Sequence, residues 1–158
     1  MSSSLSFSLK SVVNMKKLAV IGAGLLGHGI AQVFSMRGYK VNLLDLNDDL
    51  LKKGLQGIEW SLNKFVEKRR IRKEDAEAAL SRIKVTTSYE KAAKDIDFAI
   101  EVVSEKMNIK KMVFSKLDDI APPHAIIATN TSTLSITEMG RVTKRPDKVV
   151  GMHWFNPP

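Results

Sequence analysis

Apolar residues along this chain fall into two alternating kinds of run. One kind is short and unbroken: Lys16–Ile21 (KKLAVI), Val41–Asp45 (VNLLD), Val85–Thr87, Asp97–Val103 (DFAIEVV), Ala125–Thr129 (AIIAT) and Val149–His153. Runs of this length, apolar without alternation, are expected of strands covered on both faces of a parallel sheet. The other kind repeats at helical spacing. Leu26, Ile30, Val33 and Phe34 precede Arg37-Gly38, where a glycine closes a helix well. Leu51, Leu55, Ile58, Leu62, Phe65 and Val66 mark a long amphipathic helix capped by Asn47 or Asp48, with Ser61, Lys64 and Lys68 on its opposite side. Lys73–Arg82 reads as a shorter helix that makes a helical hairpin with it. Met107–Leu117 carries Ile109, Val113 and Leu117 on one side, and Pro122-Pro123 stops the chain after it. Strands alternating with helices predict an α/β protein with a doubly wound, mostly parallel sheet and a helical hairpin inserted in it.

Composition narrows this picture. A chain of 158 residues supports one domain with a full core. Its apolar fraction of 44% and charged fraction of 27% are those of a soluble globular protein. No apolar run approaches the roughly 18–20 residues that span a bilayer. Cysteine is absent, which excludes disulfides and thiolate metal sites; with nothing pointing to export, the expected setting is cytoplasmic. Residues 1–14 (MSSSLSFSLKSVVN) read either as a targeting peptide or as a disordered lead-in ahead of a start at Met15. The domain proper then covers 15–158. The net charge of +8, densest at Lys68-Arg69-Arg70-Ile71-Arg72-Lys73, suits a polyanionic partner, be it nucleic acid, a polyphosphate cofactor or a phosphorylated substrate.

The loop after the first strand chooses among these. Gly22-Ala23-Gly24-Leu25-Leu26-Gly27 follows a strand, opens a helix and sits in a βαβ unit of about thirty residues, the context that makes GxGxxG a Rossmann-type dinucleotide site. Gly22 permits the tight turn, Gly24 lets a pyrophosphate approach, and Gly27 lets helix and strand pack closely. The helix N-terminus offers free N–H groups and partial positive charge to the phosphates. Asp45 closes the second strand, where a carboxylate accepts from ribose hydroxyls and repels a 2′-phosphate, favouring NAD over NADP. His28, in the first turn of that helix, reads as a neutral packing histidine or as a catalytic one.

Four segments in fixed order carry a family likeness: GAGLLGHGIA at 22–31, EVVSE at 101–105, NTSTL at 130–134 and HWFNP at 153–157. Together they resemble the NAD-binding domain of the L-3-hydroxyacyl-CoA dehydrogenase (3-hydroxybutyryl-CoA dehydrogenase) family, over about Lys16 to Pro158. The resemblance implies an oxidoreductase of fatty-acid β-oxidation or butanoate metabolism that converts an L-3-hydroxyacyl-CoA to the 3-oxoacyl-CoA with NAD. His153 matches the family's catalytic histidine, a residue type that titrates in the range such a base needs. Ser132 matches the serine that hydrogen-bonds the reacting oxygen and meets the cofactor, with Asn130 beside it. Glu105 and Lys110 match positions near the nicotinamide end of NAD and the substrate's thioester, Asn156 matches a cofactor contact, and Leu25 and Leu26 lie in the cofactor loop. Ser61 and Lys68 match helix positions that touch coenzyme A. On spacing alone, Ser61 and Lys68 are also a solvated helix face, and NTST is also a turn and helix cap.

Several departures qualify the expectation. The family orients its histidine with a glutamate about a dozen residues downstream, and its dimer-forming helical domain follows; neither lies in this chain, which reads as cut short at its C-terminal end. The expectation is therefore the cofactor-binding half of a dehydrogenase, binding NAD but turning over poorly alone, as a homo-oligomer or with a C-terminal helical domain or subunit. A non-catalytic NAD-binding subunit or sensor is the alternative. The expected partners include acyl-CoA and exclude nucleic acid, membrane and metal; no nucleic-acid motif is present.

Overall fold

Residues 15–158 are described by a computed structural model; the reading of 1–14 as a disordered lead-in lies outside the described residues. The strands are β1 (Lys17–Ile21), β2 (Lys40–Leu44), β3 (Ile83–Thr86), β4 (Phe98–Glu101), β5 (Ile126–Thr129) and β6 (Val149–Gly151). The helices are α1 (Leu25–Met36), α2 (Asp48–Glu67), α3 (Lys73–Ser81), α4 (Tyr89–Ala93), α5 (Met107–Ile120) and α6 (Ile136–Gly140). All six strands pair in parallel in the order β3-β2-β1-β4-β5-β6, the doubly wound topology whose strand order reverses beside β1.

The unbroken apolar runs have the expected cause. Leu18, Val20, Val41, Leu43 and Ile100 face a core completed by Ile30, Ala31, Leu51, Ile58 and Leu62 from α1 and α2. Ala19, Ile21, Leu44, Ala99 and Ile127 face a second core with Ile96, Val113, Phe114 and Leu117 on α4, α5 and their connections. Alternate residues of one strand thus feed both layers.

Boundaries differ from expectation where long-range pairing decides them. β4 stops at Glu101, not Val103, and β6 stops at Gly151, not His153. Their ladders end at Glu101↔Thr129 and Thr129↔Gly151, after which the chains diverge. Asp45 stands one residue beyond β2. α4 and α6 fall outside the sequence expectation, being one-turn helices nucleated by the Ser88 and Ser135 caps. Asn47 is the α2 cap, accepting from Leu50 N–H at 3.0 Å. The basic knot is the hinge of the helical hairpin: Arg69 adopts a left-handed backbone (φ 53°), and the Arg70 N–H returns to the Phe65 carbonyl at 2.8 Å.

Two polar anchors tie distant segments to the sheet. The Arg145 guanidinium donates to Asp118 Oδ1 at 2.7 Å and to the Asp118 and Ala121 carbonyls at 2.7 and 3.1 Å, neutralising the C-terminal end of α5. Asp97 Oδ2 accepts from the Lys16 and Lys17 N–H groups at 2.9 and 3.1 Å, and Oδ1 meets His124 Nε2 at 3.1 Å, fixing the start of β1. Burial pushes the Asp97 carboxyl up, but those backbone donors and His124 outweigh it and hold it below its ordinary 3.8. A depressed carboxyl stabilises the fold above its unfolded value and loses that contribution as pH falls through the folded value. Replacing Asp97 by Asn should therefore cost about 1 kcal/mol near neutrality. In urea titrations repeated across pH, the gap between wild type and variant should narrow only below about pH 4.

Candidate functional site

Parallel register puts the carboxyl ends of β1, β2, β4, β5 and β6 in one row. Ile21 is level with Leu44 and with Glu101, Glu101 with Thr129, and Thr129 with Gly151. The loops leaving that row carry most of the candidate residues, along the edge where open α/β sheets bind ligands.

The glycine loop has the shape its spacing suggests. Gly22 has φ +114°, and a Cβ there would lie 2.7 Å from the Val102 carbonyl oxygen. A Cβ on Gly27 would lie 1.8 Å from the Gly22 carbonyl oxygen, so α1 seats directly on the turn. Gly24 is the opposite case. Nothing comes within 4 Å of a Cβ placed there, and no side chain caps the helix that starts at Leu25. Bare N–H groups facing open space are what a pyrophosphate requires. Leu25 is exposed and Leu26 half-buried beside them. Asp45 shapes the same loop: Oδ2 accepts from Ala23 N–H and Oδ1 from Leu46 N–H, each at 2.6 Å. Its remaining lone pairs stay open to a ribose hydroxyl.

On the other side of β1, Glu101 and Lys110 form an ion pair with side chains 0% and 1% exposed. Lys110 Nζ lies 2.7 and 3.0 Å from the two Glu101 oxygens and 3.1 Å from Glu105 Oε2. Glu101 also accepts from the Thr129 hydroxyl and the Val103 N–H, both at 2.7 Å. Lys110, expected to touch cofactor and substrate, is therefore enclosed by protein and acts on the loop carrying Glu105. Glu105 is 45% exposed and stays within a ligand's reach. Burial pushes its carboxyl up, but hydrogen bonds from Thr131 and Lys110 prevail and hold it below its ordinary 4.5.

The segment from Thr129 to Leu134 lies against Glu101 and Glu105. Thr129 and Thr131 turn inward while Thr133 is exposed: Thr129 bonds Glu101, Thr131 and Thr133 bond Glu105, and the Thr131 hydroxyl also accepts from Leu134 N–H at 3.0 Å. Asn130 is half-buried and Ser132 exposed. Asn130 Oδ1 accepts from Trp154 N–H at 2.7 Å, which clamps the His153 segment to the end of β5 and leaves the Asn130 amide NH2 to donate. Met152 and Trp154 pack inward, and Trp154 meets the Phe34 ring edge-on at 5.7 Å. His153 is exposed, its ring 5.0 Å from that of Phe155. Among the described residues, His124 is the one histidine paired with a carboxylate.

A cleft of about 540 Å³ opens between α1, α2 and the 156–158 segment, with His28, Gln32, Trp60, Ser61, Phe65 and Asn156 in its walls. Ser61 is not on the solvated side of α2. It faces α1 and accepts from Gln32 Nε2 at 3.0 Å. Gly54 and Gly57 explain this close approach, since a Cβ on Gly57 would strike the His28 ring at 2.7 Å. His28 is accordingly a packing residue between the two helices. Lys68 is exposed at the C-terminal cap of α2 and lies outside the cleft walls. Among the described residues, no helix is long and apolar enough to cross a membrane.

Comparison with known proteins agrees with this geometry. Residues 17–158 match the family model of the 3-hydroxyacyl-CoA dehydrogenase NAD binding domain. The chain is 48% identical over 141 residues to 3-hydroxybutyryl-CoA dehydrogenase of Clostridioides difficile, covering 89% of this chain and 50% of that protein. It is 39% identical over 161 residues to mitochondrial hydroxyacyl-coenzyme A dehydrogenase of Homo sapiens, covering 99% and 51%. The crystal structure of 3-hydroxybutyryl-CoA dehydrogenase from Escherichia coli K12 superposes with a TM-score of 0.89 at 36% identity, covering 92% of this chain and 30% of that one. The chain spans about half the length of the first of these curated relatives.

Gly24, the N-cap of α1, and Gly27 within it should separate binding from folding. Gly24→Ala should leave stability within about 0.5 kcal/mol of wild type while weakening NADH about tenfold. Gly27→Ala should destabilise by about 3 kcal/mol or more, because backbone cannot yield as a side chain can. Thermal melts with NADH titrations check both.

Proposed function

Because the chain belongs to the 3-hydroxyacyl-CoA dehydrogenase family through its NAD-binding domain, we propose that it forms the cofactor-binding half of an enzyme oxidising L-3-hydroxyacyl-CoA to 3-oxoacyl-CoA. The observation that carries this reading is the 2.7 Å bond from Trp154 N–H to Asn130 Oδ1. It gathers His153, Asn130 and Ser132 on adjoining strand ends, on the same edge as the open Gly24 turn.

NAD supplies the hydride acceptor. The residues of the chain divide the remaining work. The first turn of α1 holds the pyrophosphate, and Asp45 takes the adenosine ribose. His153 accepts the proton of the 3-hydroxyl, its exposed imidazole being free of any carboxylate among the described residues. The Ser132 hydroxyl and the free Asn130 amide NH2 donate to the oxygen as it becomes a carbonyl. The cleft beside Ser61 and Trp60 receives the acyl-CoA, and Lys68 offers a charge to its phosphates. A cytoplasmic setting, and a homo-oligomer or a further helical domain that completes the substrate side, belong to the same proposal.

The second reading is a non-catalytic NAD-binding module, in which the exposed imidazole of His153 takes no part in chemistry. NADH titration and 3-hydroxybutyryl-CoA turnover distinguish the two. We expect saturable NADH binding, NADPH at least about tenfold weaker from the Asp45 charge, and slow turnover. His153→Ala should lower that turnover about 100-fold while leaving NADH affinity within twofold. Binding without any turnover in the wild type supports the module, and turnover indifferent to His153→Ala removes this residue from the chemistry.

A further inference from the structure

Glu101, Lys110 and Glu105 place two carboxylates around one ammonium, with separations of 2.7 and 3.1 Å. The cluster carries a net charge of −1. Glu101 and Lys110 are sealed inside the protein, so they neutralise each other there, and the surplus negative charge resides at Glu105, the exposed member.

Neighbouring cations do not cancel it. Lys111 is paired with Glu138 at 2.8 Å, Lys116 lies over the Tyr89 ring at 5.0 Å, and Lys106 is exposed and forms no ion pair with Glu105 among the described residues. The N-terminus of α5, which starts at Met107, offsets part of the charge with about half a unit of opposite sign. Negative charge still prevails.

Topology says what that charge faces. With the pyrophosphate on Gly24 at the end of β1 and the adenosine ribose on Asp45 beyond β2, the nicotinamide of a bound dinucleotide extends to the β4 and β5 side of the switch point. There the loop after β4 presents Glu105. The oxidised nicotinamide ring carries one positive charge and the reduced ring none.

We infer that the Glu101–Lys110–Glu105 cluster discriminates between the two redox forms of the cofactor, with Glu105 as the specificity-determining charge and Glu101, through Lys110, as its positioning residue. This inference rests on the dinucleotide reading of the glycine loop. The interaction is absent for NADH, so the cluster biases the site toward the form that is ready to accept hydride. Glu101 is the member that the sequence motifs leave unassigned.

The test compares dissociation constants of NAD+ and NADH, measured by calorimetry, for wild type, Glu105→Gln and Glu77→Gln. Glu105→Gln preserves shape and an acceptor for Thr131 while removing the charge. It should weaken NAD+ about fivefold and change NADH less than twofold. Glu77→Gln removes an equal charge from α3, beside the β3 edge, and should leave the ratio of the two constants unchanged. In the wild type, rising salt should weaken NAD+ more than NADH. Equal losses for both cofactors in Glu105→Gln, no change in either, or a ratio insensitive to salt would overturn the inference. A wild-type chain that binds neither cofactor would instead overturn the dinucleotide reading itself.

Discussion

A carboxylate buried at the end of a central strand must be fully satisfied or it destabilises the fold, and much of this site's geometry follows from how Glu101 is satisfied. Its oxygens receive the Lys110 ammonium, the Thr129 hydroxyl and the Val103 N–H. Those donors come from α5, β5 and the loop after β4. Three separate segments are thereby drawn to one point just beneath the sheet's carboxyl edge. Lys110 then passes the constraint outward to Glu105, and the threonines of the 129–133 segment share it between them. Removing any one partner would leave a buried charge short of hydrogen bonds, which is why the arrangement is rigid.

On the other flank of β1 the constraint is steric. Gly22 meets the Val102 carbonyl and Gly27 meets the Gly22 carbonyl at distances no side chain permits. α1 is pressed onto the turn, and the glycines of α2 allow His28 and Gln32 to press onto α2 in their turn. The Gly24 turn, proposed to hold a phosphate, is then a helix end fixed from beneath, not a flexible loop. The charged and steric halves meet at Val102 and Val103, consecutive residues of one strand end.

Much of this was legible in the sequence because it is local. The glycine loop, Asp45, the strands and the hairpin are written in spacings of a few residues, and the resemblance drew Asn130, Ser132 and His153 together. The family model and the relatives bear out the family, the α/β fold and NAD as cofactor. What escaped depends on contacts made only in the folded chain. The resemblance singles out Lys110, but spacing does not show it buried against Glu101. Ser61 looks solvated until Gly54 and Gly57 bring α1 against it. Arg145 lies in a loop of unremarkable composition, yet it ends α5 through carbonyls 24 and 27 positions earlier. Strand ends at Glu101 and Gly151 are set by partners, not by apolarity.

The segment after β5 divides its labour between anchors and one display position. Thr129, Thr131 and Thr133 are tied to Glu101 and Glu105, and Asn130 is tied to Trp154; Ser132 is exposed and makes no side-chain hydrogen bond among the described residues. Such a segment works as a socket. The displayed side chain can be exchanged for others, in nature or by design, without disturbing the anchors that hold its backbone. One scaffold edge can then explore new chemistries at that position while its folding remains insulated from the experiment.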